Sequence, residues 1–75
     1  MIDLRIPKPG DAIVEGTIIE WLAADGEQVA EGQLLYRLET DKVEMEIESP
    51  GAGILRIEAD TGEPYPVGTI IGTIE

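Results

Sequence analysis

Lys42 is the single base among five acids: Glu39, Asp41, Glu44, Glu46 and Glu48. The chain has 75 residues, with no His and no Cys. The commonest general base, the commonest metal ligand and the thiol nucleophile are therefore all missing. A lysine amine is the best remaining candidate for covalent chemistry. A lysine that attacks on its own account needs burial or a neighbouring cation to free its lone pair. Asp41 and Glu44 supply neither, so Lys42 suits a handle that another enzyme modifies. The plain alternative is a solvated turn lysine in loose ion pairs, which contribute little to stability. Asp41 and Glu44 could also be read as an acid/base pair, but nothing in this stretch would bury them. A solvated turn that carries recognition is the simpler reading.

The rest of the composition narrows the function classes. One small domain has a thin core and little room for an enclosed active site of several hundred cubic ångströms. The net charge of −11 repels phosphate backbones and anionic bilayers, so neither nucleic acid nor membrane is expected as a partner. Partners with basic patches are favoured. No apolar run approaches the roughly 20 residues of a bilayer span, and no signal segment opens the chain. The lack of cysteine fits a reducing compartment. No phosphate loop, metal-ligand cluster or catalytic triad is present. Disorder is a fair expectation for so acidic a chain. The apolar 43% falls instead in short β-branched runs, which argues for a folded domain.

Those runs read as strands. Ile2 to Ile6 and Val43 to Glu48 alternate with a period of two. Thr17 to Leu22, Leu34 to Glu39, Ile54 to Glu58 and Thr69 to Ile74 are four more short apolar runs. Turn residues separate them, as at Asp25-Gly26-Glu27, Ser49-Pro50-Gly51 and Thr61-Gly62-Glu63. Nine Gly and five Pro leave no room for a long helix. Short strands at regular spacing predict an all-β sandwich or barrel. Trp21 lies in an apolar run and is expected to pack at least partly into the core rather than to stack on a ligand. The acids Glu44, Glu46 and Glu48 are expected on the wet face of their strand.

An internal repeat sharpens the expectation. Gly26 to Glu39 aligns without gaps on Gly62 to Glu75, with both glycines, both acids and the Leu34-Leu35/Ile70-Ile71 pair recurring. A weaker match sets Leu4 to Gly10 against Met45 to Gly51. Gly16 and Gly53 fall at near-equivalent places, where close strand approach or positive φ is expected. Each half reads as one supersecondary unit that must pack on the other to bury its apolar face. The segment Glu39-Thr40-Asp41-Lys42 joins the halves and is expected to be an exposed tight turn. The first half also has four more residues between Gly10 and Gly16 than the second has between Gly51 and Gly53. An insertion on one side only is a candidate for function, because such loops often carry it.

The order and spacing of five segments carry a family resemblance. They are Ile6-Pro7-Lys8-Pro9-Gly10, Glu15 to Trp21, Gly26 to Gly32, Glu39-Thr40-Asp41-Lys42-Val43 and Ser49 to Gly53. Across essentially its whole length the chain resembles a lipoyl domain of the biotinyl/lipoyl carrier family. The resemblance implies a flattened barrel, or barrel-sandwich hybrid, of two four-stranded antiparallel sheets with pseudo-twofold symmetry. It implies lipoic acid in amide linkage to Lys42 at a hairpin tip, with Asp41 and Val43 as the flanking turn residues. It further implies a non-catalytic carrier. A lipoate ligase or lipoyl transferase installs the group. A thiamine-diphosphate-dependent 2-oxo acid decarboxylase reductively acylates it, an acyltransferase core moves the acyl group to coenzyme A, and a flavin-dependent dihydrolipoamide dehydrogenase reoxidises the dithiol. Amidation would also take the formal charge from −11 to about −12.

By the same resemblance the loop after the first strand lies beside the lysine turn. Lys8, Pro9, Gly10, Asp11, Ala12, Ile13, Val14 and Glu15 are then expected to serve partner recognition, together with Glu39, Thr40 and Glu44. Pro9, Ala12 and the pair Ala23-Ala24 depart from the residues usual in the family, which leaves the partner complex open. A biotin carboxyl carrier shares the fold and the turn lysine, but typically sets methionines around it, where Asp41 and Val43 stand here. An unmodified interaction domain is a third reading, against which the intact Asp41-Lys42 turn speaks. Residues 1–75 are expected to form a single domain, the N-terminal part of a longer acyltransferase chain. The expected compartment is the bacterial cytoplasm, or the mitochondrial matrix for a processed eukaryotic domain.

Overall fold

The computed structural model describes residues 1–7 and 14–75. It contains eight strands and, among the described residues, no helix: β1 (Ile2–Arg5), β2 (Glu15–Trp21), β3 (Gln28–Val29), β4 (Leu34–Glu39), β5 (Glu44–Glu48), β6 (Gly53–Ile57), β7 (Pro64–Pro66) and β8 (Ile70–Ile74). They form two four-stranded sheets ordered β1-β8-β6-β3 and β5-β4-β2-β7. Every pairing is antiparallel. The all-β expectation and the two four-stranded sheets are both met. Apolar alternation located six of the strands. It passed over β3 and β7 because they are two and three residues long. Pro64 and Pro66 further disguise β7, an edge strand where residues without an N–H are tolerated.

The registers show how closely the halves correspond. In one sheet Ile18 faces Leu38, Glu20 faces Arg37 and Trp21 faces Tyr36. In the other, Leu55 faces Ile74, Arg56 faces Thr73 and Ile57 faces Gly72. Gly16 faces Tyr65 as Gly53 faces Val29. The first set has one extra residue, Ile19, at a bulge between Ile18 and Glu20. That bulge turns Ile19 outward, 39% exposed, within a run that otherwise reads as apolar strand.

The register also corrects the weaker repeat. Leu38 faces Met45 and Tyr36 faces Ile47, while Ile74 faces Ile2 and Gly72 faces Leu4. The partner of Leu4 in the other half is thus Ile47, not Met45. The backbone bonds agree: Ile6 N–H donates to Thr69 O at 3.0 Å as Ser49 N–H donates to Gln33 O at 2.7 Å. Pro7 therefore matches Pro50. Between the matched prolines and glycines lie eight residues in the first half and two in the second, an excess of six rather than four. The sequence match was drawn to Pro9-Gly10 by composition, which pleat and register override. Residues 8–13 themselves lie outside the described residues.

The core sits between the sheets. Ile18, Leu35, Leu38, Leu55, Ile71 and Ile74 are fully buried, with Leu4, Ile6, Val29 and Tyr36 beside them. Each large aliphatic side chain so buried contributes about 1.5–3 kcal/mol. In each repeated pair the second residue is buried, Leu35 and Ile71, while Leu34 and Ile70 stay 40% and 42% exposed. Tyr36 follows Leu35 into the core because the register shifts between Leu34 and Tyr36. Tyr36 lies 5.1 Å from Trp21, ring to ring, tilted by 53°. Trp21 is half-buried, and its Nε1–H donates to Ala59 O at 3.2 Å, so both the packing and the polar edge of the indole are used by the fold.

Candidate functional site at the lysine hairpin

Strands β4 and β5 end in the turn Thr40-Asp41-Lys42-Val43, closed below by the facing pair Glu39 and Glu44. Thr40 N–H donates to Val43 O at 2.8 Å. The return bond is made by a side chain. Val43 N–H donates to Thr40 Oγ1 at 3.1 Å, Lys42 N–H approaches the same oxygen at 3.4 Å, and the hydroxyl donates to Val43 O at 3.1 Å. A threonine that captures the amides two and three residues onward is a recognised turn device. The sequence carried that signal, but Thr40 was read there only as a recognition residue.

Lys42 is exposed and takes part in none of the ion pairs among the described residues. Asp41 and Glu44 are also exposed, which leaves no buried acid/base pair. Val43 is 46% exposed, an apolar residue left at the tip. The tip thus offers a primary amine on a closed backbone, with carboxylates around it and none of the described ones in an ion pair with it. An amine of this kind fits attachment of a carboxylic acid by another enzyme, since nothing must be displaced to reach it. Among the described residues no group of acids is placed to hold a metal ion. No helix of the described residues is long and apolar enough to cross a membrane.

The other expected recognition residues divide in two. Val14 and Glu15, with Gly16 and Thr17, line a cleft of about 250 Å³ together with Glu39, Thr40, Asp41 and Pro64. The end of the first loop is therefore beside the lysine turn. Lys8, Pro9, Gly10, Asp11, Ala12 and Ile13 lie outside the described residues. Thr17 and Pro64 join this lining without having been singled out in the sequence. The repeat could have placed Pro64 there, because Gly16 faces Tyr65 as Gly53 faces Val29. Glu44, Glu46 and Glu48 are all exposed on β5, and Arg37 bridges Glu46 at 3.6 Å and Glu20 at 3.8 Å.

Two four-stranded antiparallel sheets with an exposed lysine at a hairpin tip define a prosthetic-group carrier. A family model described as biotin-requiring enzyme, the biotin/lipoyl family, matches residues 2–74, and the chain belongs to that family. Within it, the chain is a lipoyl domain rather than a biotinyl one, as its relatives show. It is 41% identical over 75 residues to the dihydrolipoyllysine-residue succinyltransferase component of the 2-oxoglutarate dehydrogenase complex of Bacillus subtilis, covering 99% of this chain and 18% of that protein. It is 42% identical over 73 residues to the dihydrolipoyllysine-residue acetyltransferase component of the pyruvate dehydrogenase complex of Corynebacterium glutamicum, covering 96% of this chain and 11% of that one. The solved lipoyl domain of the 2-oxoglutarate dehydrogenase complex of Azotobacter vinelandii superposes with a TM-score of 0.83 at 30% identity, over 100% of this chain and 96% of that domain. The chain spans less than a fifth of these two curated relatives' length. The carrier reading drawn from the sequence is thereby upheld over the biotin alternative.

Proposed function

We propose that Lys42 carries lipoic acid as an amide on Nζ, and that the domain serves as the carrier segment of a longer 2-oxo acid dehydrogenase acyltransferase. The observation that carries the attachment site is Lys42 exposed, and in no ion pair among the described residues, at the tip of a turn closed by Thr40 and Val43. Lys8 is the only other lysine, and it stands between Pro7 and Pro9. When bound, lipoic acid supplies a dithiolane that accepts acyl groups and electron pairs. The chain's own residues supply position. The hairpin holds the attachment point out from the barrel and raises the effective concentration of whatever Lys42 carries near a partner's site.

The partners proposed are a lipoate ligase or lipoyl transferase, a thiamine-diphosphate-dependent decarboxylase, an acyltransferase core and a flavin-dependent dihydrolipoamide dehydrogenase. Membership of succinyl- and acetyltransferase components among the relatives supports the reading without choosing the 2-oxo acid. The same bacterial relatives support a cytoplasmic setting. Intact mass after co-expression with a lipoate ligase tests the attachment. One lipoyl group per chain, absent from Lys42→Ala, is expected. A biotinyl mass, no addition, or addition to the Lys42→Ala variant overturns it.

A further inference from the structure

The lysine hairpin lacks one of the two backbone bonds that would normally lock it. Thr40 and Val43 face each other across the turn, yet only Thr40 N–H to Val43 O is made between their main chains, at 2.8 Å. Val43 N–H goes to Thr40 Oγ1 at 3.1 Å instead, and the hydroxyl returns its own proton to Val43 O at 3.1 Å. Lys42 N–H, at 3.4 Å, leans on the same oxygen. One hydroxyl therefore ties Thr40 to three backbone atoms, one on the lysine and two on the residue after it. No other side chain bonds the backbone of this turn among the described residues. The flanking Glu39 and Glu44 face each other directly, and like charges so placed push a hairpin mouth apart.

We infer that Thr40 is a positioning residue for the reactions of Lys42, acting through the backbone of the turn rather than by touching a partner. This rests on Lys42 being the attachment residue. A lysine side chain already spreads its amine over a shell around Cα. A fixed Cα keeps that shell in one place, and a loose turn smears it. Each partner enzyme must bring the reacting atoms to within about 3–3.5 Å, and a displacement of about 1 Å at the chemistry can cost a hundredfold. The threonine methyl has no part in the bonds, so serine is expected to serve and the isosteric valine to fail. The hydroxyl's donor and acceptor capacity is spent within the turn.

The test uses the 75-residue chain with Thr40→Val, Thr40→Ser and the parent, all lipoylated by one ligase and followed by intact mass. For Thr40→Val, kcat for lipoylation is expected to fall about tenfold with KM for the domain within about twofold. Thr40→Ser is expected to restore it, and the melting temperatures are expected to agree within a few degrees. Backbone NMR order parameters of Lys42 and Val43 are expected to drop from about 0.85 to below about 0.6 in Thr40→Val alone. Parent-like kcat and order parameters in Thr40→Val overturn the inference. So does a Thr40→Ser variant as slow as Thr40→Val, which would assign the effect to the methyl group. If the parent itself takes no lipoyl group, the attachment proposal fails, and the order parameters alone decide whether Thr40 holds the turn.

Discussion

The carbonyl oxygen of Glu75 lies against the α-carbon of Gly53, in the space a β-carbon would occupy. That carbonyl also accepts Ile54 N–H at 2.9 Å, and Glu75 N–H donates back to Ile54 O at 2.8 Å. Gly53→Ala must therefore push apart two backbones that bond each other. At the equivalent place in the other half, a β-carbon on Gly16 would meet Leu38 Cδ1 at 2.8 Å, the end of a side chain. Side chains yield more cheaply than backbone. Gly53→Ala is expected to cost about 3 kcal/mol and Gly16→Ala about 1 kcal/mol. Urea unfolding of the two variants measures the difference, and equal costs would contradict the distinction.

That asymmetry marks how far the sequence could be read. The glycine pair was legible because the repeat aligned it and close approach is a common reason for strand glycine. Which atom each glycine faces was not, since that depends on a contact across the sheet. The pole bearing Lys42 was legible from the repeat and from its isolation among acids. The short strands β3 and β7 were not, because two or three residues cannot display a period. The bulge at Ile19 and the six-residue excess before Gly16 were hidden for a shared reason. Composition can be matched at several offsets, and only strand pairing chooses one. The bonds of Thr40 within the turn were not legible, because a hydroxyl in a turn reads equally well as free or as bonded.

Tyr36 gives the domain a pH limit. Burial pushes its phenol from 10.0 up to about 12. A raised folded value means that the stabilisation is complete below the unfolded value of 10.0 and is lost as pH rises through about 12. In that window the unfolded chain gains charge that the folded core resists. Stability is expected to fall by on the order of 2 kcal/mol between about pH 9.5 and about pH 12. Tyr36→Phe keeps the ring against Trp21 and should remove that part of the slope. Urea midpoints of parent and variant across the window check it, and parallel slopes would show that Tyr36 does not set the limit.

Lys42→Ala is expected to leave the fold intact. The side chain is exposed and forms no ion pair among the described residues, so the change should move stability by no more than about 0.5 kcal/mol. Lipoylation should vanish. The paired variant Asp41→Lys/Lys42→Asp moves the amine one position along the turn while keeping the composition. It should be lipoylated at least about tenfold more slowly, because neighbouring turn residues project in different directions. Parent-like lipoylation of the shifted lysine would mean that the ligase needs only an exposed amine.

The six-residue excess between Pro7 and Gly16 supplies the sharpest test of partner recognition. In the second half Pro50 reaches Gly53 through two residues, and β5 keeps the register of its counterpart β1 up to that point. A barrel without residues 8–13 is therefore expected to close as the second half does. Deleting them joins Pro7 to Val14 with the residue count that already works at Pro50-Gly51. Val14 is 73% exposed and, with Glu15, lines the cleft that Glu39, Thr40 and Asp41 also line. The deletion variant is expected to fold and to accept a lipoyl group at close to the parent rate, since the hairpin itself is untouched. Its kcat/KM for reductive acylation by the cognate decarboxylase is expected to fall at least about tenfold, roughly 1.4 kcal/mol of transition-state stabilisation. The comparison needs both domains folded by circular dichroism and fully lipoylated by mass. Equal rates under those conditions would reduce residues 8–13 to a connector and move recognition onto Glu39, Asp41, Glu44 and the exposed Val43.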